Sequence, residues 1–324
     1  MSETIFILGK ILEDNIITTD LMMNDSNFCL PLREKTIVKN CTSNIGGGAV
    51  NSAFALKKLG YKSIICGLVG KDLAGQEARS LLKRSGIITS LIGASSLATG
   101  RSIVILAKDK THIALVYPGA NIKLKKDDLD IKKMKTCRWW FIFSWGNNDP
   151  KISHYLSKMK EKFEIHLAFN PGRIQLENPR NISGLLMQTD ILFVNEKELE
   201  MLVSKKLAKE NYKEALVKTV GLGPKIIVLT LGKNGSMVYN GAHFYEAPIY
   251  PIRVVDGLGA GDAYSSAFLA WFIRTGRIEE AIIAGTINSA YAVSKSGSTQ
   301  GQLSIKELAK LMKKERVKVK VSQI

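Results

Sequence analysis

Asp256-Gly257-Leu258-Gly259-Ala260-Gly261-Asp262 lies between a strand-like run ending at Val255 and an apolar stretch opening near Ala260, and the reading of the whole chain turns on it. Small residues in series let backbone approach a ligand closely. A Gly-rich turn feeding a helix start leaves several amide N–H groups outside the helical ladder, pointing outward at the positive end of the dipole. That arrangement suits an anion, and developing phosphate charge in particular. Asp262 falls in the first turn of this helix. A carboxylate there can simply favour the dipole; beside a phosphate cradle it can also take the proton of an attacking hydroxyl. The neighbouring glycines favour the second role. Two other phosphate-binding patterns are demoted: G-x-x-x-x-G-K-[ST] does not occur, and G-x-G-x-x-G fails because Asp262 occupies its last Gly position.

Outward from this turn, the pattern alternates between periods of two and 3.6. From 139 onward, strand-like runs at 140–144, 165–169, 191–194 and 225–230 are separated by helical stretches starting near 151, 182 and 196, and such alternation predicts a parallel sheet covered on both faces. Two apolar helices are expected at about 260–275 and 278–295. Upstream, a strand at 5–8, a helix at 49–59, a strand at 62–69 and a helix at 73–85 read the same way. The fold class is therefore α/β, a three-layer α/β/α sandwich with a mostly parallel central sheet. Residues 11–45 and 87–118 interrupt the alternation with short strands, including an expected hairpin turning at Lys108-Asp109-Lys110. These two pieces are expected to form a small β-sheet lid on a single domain spanning 1–324.

The 324 residues are 45% apolar, enough for one large core. No apolar run approaches the ~20 residues that cross a bilayer. The first nine residues lack a signal peptide's basic region and cleavage site, so a cytoplasmic location and no membrane partner are expected. Cys29, Cys41, Cys66 and Cys137 show neither C-x-x-C pairing nor His spacing, which points to incidental thiols. The formal net charge of +17 raises a nucleic-acid reading. The lysines, however, cluster around 123–135, 151–162 and 313–320 without the interleaved aromatics of a base-stacking platform, so no nucleic-acid partner is expected.

With these motifs in order, the chain resembles the ribokinase-like sugar kinases, also called the PfkB carbohydrate kinase family. Besides Gly259-Ala260-Gly261-Asp262, the resemblance rests on Gly46-Gly47-Gly48-Ala49-Val50-Asn51, Gly67-Leu68-Val69-Gly70-Lys71-Asp72 with Gly75, Pro118-Gly119-Ala120-Asn121, Asn195-Glu196-Lys197-Glu198 and Thr230-Leu231-Gly232-Lys233-Asn234-Gly235. It implies an ATP-dependent carbohydrate kinase. By position, it implies that Asp262 is the catalytic base and that the amides of Gly259, Ala260 and Gly261 hold the transferring phosphoryl. Asp14, Gly46, Gly47 and Asn51 are implied to bind the acceptor. Thr230, Gly232, Gly235 and Asn288 are implied in the nucleotide site. Asn195 and Glu198 are implied to organise Mg2+, although Asn and Glu at that spacing also form a helix cap. Asp256, with Gly297, is implied in a K+ site, and dimerisation through lid strands is a family habit.

Two departures from the family pattern bear on specificity. Gly257-Leu258 replaces the usual Thr-containing pair and removes a hydroxyl from the monovalent-cation site, while Leu12 replaces an Asn expected for a ribose-type ligand. Arg173 falls where some relatives place a cation near phosphate, and equally suits a surface turn. The acceptor stays open at this point between a small sugar, a nucleoside and a phosphosugar, with a non-catalytic small-molecule-binding member as a further reading. A stacking aromatic (Phe28, Tyr117 or Trp145) would favour the nucleoside, and an Arg/Lys cluster the phosphosugar.

Overall fold

The computed structural model describes residues 3–19, 33–107, 112–255, 257–295, 297–314 and 317–323. Its strands are β1 (Thr4–Leu8), β2 (Leu12–Thr18), β3 (Asn40–Gly46), β4 (Lys62–Gly70), β5 (Ile88–Ser95), β6 (Gly100–Leu106), β7 (His112–Tyr117), β8 (Trp139–Phe143), β9 (His166–Asn170), β10 (Ile191–Asn195), β11 (Ile226–Thr230), β12 (Ser236–Tyr239), β13 (His243–Ala247) and β14 (Lys320–Gln323). Ten of them make one sheet in the order β14-β13-β12-β11-β10-β9-β8-β1-β4-β5. β11 through β5 in that order run parallel, and β12, β13 and β14 add an antiparallel edge.

Strands that are apolar at every position can be buried on both faces, and the central strands use that property. Ile5 and Ile7 of β1 join Phe141 and Phe143 of β8 in one core, with helix Ala260–Thr275. Phe6 and Leu8 join Trp140 and Ile142 in the other core, on the opposite face. The side-chain alternation of a strand thus divides one hydrophobic run between two layers, which is the three-layer sandwich expected above. Helix Gly48–Lys58 packs on the first face and Pro150–Lys162 on the second. Among the described residues, no helix is long and apolar enough to cross a membrane.

A second sheet has the order β3-β2-β6-β7. It is built from both inserted pieces, but one expectation needs correcting. Ile88–Ser95, assigned above to the lid, pairs in parallel with β4 and forms the edge of the large sheet. The chain runs from β4 through helix Leu73–Arg84 straight into β5, so this segment completes an ordinary β-α-β unit, whose crossover returns the strand beside its predecessor. The second piece of the small sheet therefore begins at Gly100. β6 and β7 pair antiparallel as a hairpin; its expected turn at Lys108-Asp109-Lys110 lies outside the described residues. The chain also continues past the last expected helix into helix Ile305–Lys314 and β14.

Asn121 ties the small sheet to the large one. Its side chain accepts from the Ile11 amide at 3.1 Å and donates to the Ile11 carbonyl at 3.1 Å and the Pro118 carbonyl at 2.8 Å, and it is 1% exposed. Removing the amide strands buried backbone groups on the segment joining β1 to β2. Asn121→Ala is expected to lower stability by about 2–4 kcal/mol, read as a lower urea midpoint at unchanged m-value.

Candidate active site

The chain order places β4 and β5 on one side of β1 and β8 through β11 on the other, so β1 and β8 form the point where the sheet changes direction. Beyond the carboxyl ends of such a pair lies a crevice. There the Lys10 amide donates to the Ser144 carbonyl at 3.1 Å, and β2 carries Asp14 out over the opening. The three glycines that begin with the last residue of β3, Gly46, Gly47 and Gly48, meet three different neighbours. A Cβ on Gly46 would lie 1.9 Å from Asp14 Oδ2, one on Gly47 2.5 Å from the Lys10 carbonyl oxygen, and one on Gly48 2.8 Å from the Phe143 ring and 3.4 Å from Asp262 Oδ1. Gly47, at φ 96°, also has a backbone conformation that side-chain-bearing residues avoid. The turn is glycine because charged groups and backbone crowd it.

These contacts bring Asp14, Gly46, Gly47, Asn51 and Asp262 into one site. Asn51 Nδ2 donates to Asp262 Oδ2 at 2.8 Å. Burial pushes the Asp262 carboxyl up; the Asn51 hydrogen bond and the charge of Lys10 pull it back. Burial likewise lifts Asp14 to about 6, with Asp262's charge adding and the Ser102 hydroxyl, the Gly47 amide and Lys10 opposing. Lys10 is a site residue that the sequence reading missed. Burial pushes its ammonium below the usual lysine range against the pull of Asp262 and Asp14. The available signal was positional: a lysine just past the end of the central strand.

Gly259, at φ 72°, is the residue before helix Ala260–Thr275. The first helical bond is Ala263 N to Gly259 O at 2.9 Å, so the amides of Ala260 and Gly261 precede the ladder and lie at the cavity wall. Gly257 and Gly261 have nothing within 4 Å of a built Cβ. Two cavities meet here. One, of about 500 Å3, is lined by Thr230, Gly232 and Gly235 and by an apolar set including Tyr250, Ile252 and Val254. The other, of about 290 Å3, is lined by Asp262, Glu198, Asn170 and Gly259. Asn195, Thr230, Gly257, Ala260 and Gly261 belong to both.

Asn195 and Glu198 form the capping box that their spacing allowed: the Asn195 amide donates to Glu198 Oε2 at 2.9 Å and the Glu198 amide to Asn195 Oδ1 at 3.0 Å. Burial, reinforced by Asp262's charge, nevertheless lifts the Glu198 carboxyl to about 7 against its bonds to Asn195. A hard cation would relieve that cost, and the donors are all oxygens, which fits Mg2+. Among the described residues, no group of three or more His, Cys, Asp or Glu side chains forms a metal cage, so such an ion would depend mainly on water and ligand oxygens.

Other expectations are corrected or unaddressed. Asn288 does not reach either cavity: it is fully buried, donating to the Ala263 carbonyl at 2.9 Å and accepting from the Leu303 amide at 2.9 Å. Its carboxamide joins two helices to the following loop, and Thr286, Ser289, Ala290 and Val293 of its helix line the cavity instead. Arg173 points to solvent, 84% exposed and paired with Glu177 at 3.0 Å. Asp256 and Phe28 lie outside the described residues.

The model of the pfkB family of carbohydrate kinases matches residues 13–305. The chain belongs to this family. An uncharacterized sugar kinase of Archaeoglobus fulgidus is 26% identical over 250 residues, 76% of this chain and 97% of the relative. A nucleoside kinase of Methanothermobacter thermautotrophicus is 28% identical over 244 residues, covering 74% and 75% of the two chains. The ribokinase of Giardia lamblia superposes with a TM-score of 0.84 at 21% identity, covering 97% of this chain and 99% of that one. This PfkB protein is thus an ATP-dependent sugar or nucleoside kinase with the ribokinase fold.

The charge balance of the kinase site has a consequence for stability. Asp14's folded pKa of about 6 lies above its ordinary value of 3.8, so the folded protein holds this proton more tightly than the unfolded chain. The stabilisation is complete below the unfolded value and is lost as pH rises through 6. Asp14→Asn, neutral throughout, is expected to gain about 2–3 kcal/mol over wild type at pH 8 and little at pH 4, in paired thermal or urea melts.

Proposed function

We propose that this kinase transfers the γ-phosphoryl group of ATP to a hydroxyl of a small sugar, with Asp262 as general base. The observation that carries the reading is the 2.8 Å bond from Asn51 to Asp262. It joins the wall built from Asp14, Gly46 and Gly47 to the helix start that borders both cavities, and so sets the carboxylate between acceptor and donor. Asp14 accepts hydrogen bonds from acceptor hydroxyls. Asp262 takes the proton of the attacking hydroxyl, whose oxygen forms the new bond to phosphorus as the bond to the β–γ bridging oxygen breaks. The amides of Gly259, Ala260 and Gly261 receive the developing negative charge. Thr230, Gly232 and Gly235 bind the nucleotide, whose base occupies the apolar cavity beside Tyr250 and Val254.

Glu198 and Asn195 would hold Mg2+ through its water shell, where the ion supplies neutralisation of phosphate charge. The K+ expectation rests on Asp256 and gains no support from the described residues. The small sheet serves as a lid that excludes water during transfer. A homodimer through that sheet and a cytoplasmic location complete the reading.

Two observations favour a neutral sugar over the alternatives. Trp145 is 1% exposed and stacks on Phe169 within the core. Tyr117 pairs with Arg101, which registers with Glu13, and so stands on the face of the small sheet opposite Asp14. Neither aromatic is placed to stack on a nucleobase. Lys10 is one cation facing two carboxylates, not the basic cluster that a phosphosugar would require.

The test is ADP formation with Mg2+ across a panel of sugars, phosphosugars and nucleosides. Acceptor-dependent turnover highest with a neutral sugar is expected, with kcat in Asp262→Asn falling about 10²–10⁴-fold. Retention of activity within tenfold in that variant would remove Asp262 from the base role, and preference for a nucleoside would reassign the acceptor.

A further inference from the structure

The Asn51 amide that holds Asp262 is itself held, and by a residue that no motif above includes. Ser298 Oγ donates to Asn51 Oδ1 at 2.8 Å. The direction of this chain follows from chemistry. An ionised carboxylate only accepts hydrogen bonds, so the Asn51 group facing Asp262 must be its NH2. The carbonyl oxygen of the same amide then faces Ser298, and a carbonyl oxygen only accepts, so the hydroxyl must donate. Rotating the amide by half a turn would set oxygen against carboxylate, and any smaller rotation would stretch or break the bond to Ser298, so the two contacts together fix the amide plane.

Ser298 is itself fixed by its surroundings. A Cβ on Gly259 would lie 2.7 Å from Ser298 Cβ, so glycine at the residue before helix Ala260–Thr275 is what lets the serine close in beside the anion-binding turn. Gln302 Nε2 donates to the Ser298 carbonyl at 3.2 Å and to the Asn51 carbonyl at 3.4 Å. Lys58 Nζ, from the last turn of Asn51's own helix, donates to the Gln302 carbonyl at 2.9 Å and the Thr299 carbonyl at 3.3 Å. Residues 298–302 are thereby clamped to helix Gly48–Lys58 at both ends of the segment.

We infer that Ser298 is a positioning residue of the phosphoryl-transfer reaction, locking the Asn51 carboxamide so that its NH2 group holds the Asp262 carboxylate in place. The inference rests on the reading of Asp262 as general base. Its consequence for titration is signed. The Asn51 bond favours ionised Asp262, so releasing the amide raises the pH at which the base loses its proton. The charged groups acting on Asp262 from neighbouring elements, Lys10 after β1, Asp14 on β2 and Glu198 at the start of helix Glu196–Val203, are unchanged by substitution of Ser298.

The test compares Ser298→Ala and Ser298→Thr with wild type in the full chain. The side-chain amide signal of Asn51, identified by 15N-asparagine labelling and its disappearance in Asn51→Ala, is followed without substrate. It is expected to be protected from solvent exchange in wild type and Ser298→Thr, and at least about tenfold less protected in Ser298→Ala. With the acceptor found above, Ser298→Ala is expected to lower kcat about tenfold, leave the KM for ATP within about twofold and move the acid limb of the kcat profile to higher pH, while Ser298→Thr restores all three. Unchanged amide protection, or unchanged kcat in an active enzyme, overturns the inference. Absence of turnover in wild type would instead sink the general-base reading, while the amide signal would still decide whether Ser298 locks Asn51.

Discussion

The parallel pairing of β1 with β8 governs the molecule. β8 is apolar at every position and β1 at every position after Thr4, so neither tolerates an aqueous face, and the helices that cover them are a requirement of that pairing. Because the chain departs from β1 toward β4 and from β8 toward β9, the loops leaving their carboxyl ends diverge and leave a crevice between them. Lys10, Asp14, the Gly46-Gly47-Gly48 turn and Asp262 all arrive at that crevice from separate elements. The large sheet thus supplies Lys10, and the small sheet brings Asp14 and Gly46 to it.

Within the crevice, electrostatics and packing pull against each other. Asp14, Asp262 and Glu198 are each pushed toward the neutral form by burial, and Lys10 answers two of them from close by. A folded protein gains nothing from holding three carboxylates in so small a volume. Under the proposed function the arrangement becomes favourable when hydroxyls, phosphate and a cation enter, and the cost of holding these groups together is met by the two large cores on either face of the sheet.

Much of this was legible in the sequence because it is carried by local rules. Gly259 and Asp262 announce a helix start, the unbroken apolar runs announce a doubly covered sheet, and the glycines at 46–48 announce close approach. Elements whose meaning depends on partners were not legible. Ile88–Ser95 is a short strand next to other short strands, and only its pairing with β4 separates it from the small sheet. Asn288 reads as one polar residue on an apolar helix; whether its amide meets a ligand or a neighbouring loop is decided by residue Leu303, fifteen positions away. Asp72 and Gly75, noted only as a motif, form a clamp in which Asp72 accepts from the Gly75 amide at 3.0 Å and the Thr99 amide at 2.9 Å, a structural task that composition does not reveal. Lys10 was overlooked because a lysine in a very basic chain carries little information until its burial is known.

The two cavities share a wall at Asn195, Thr230, Gly257, Ala260 and Gly261, where the glycines put bare backbone along part of the border. A ligand confined to either one surrenders its rigid-body freedom for half the available surface. A single molecule reaching from the apolar recess beside Tyr250 across the glycine turn to Asp262 would incur that entropy cost once and collect both sets of contacts. The same continuity means that a ligand spanning both cavities gains affinity from the length of the bridge.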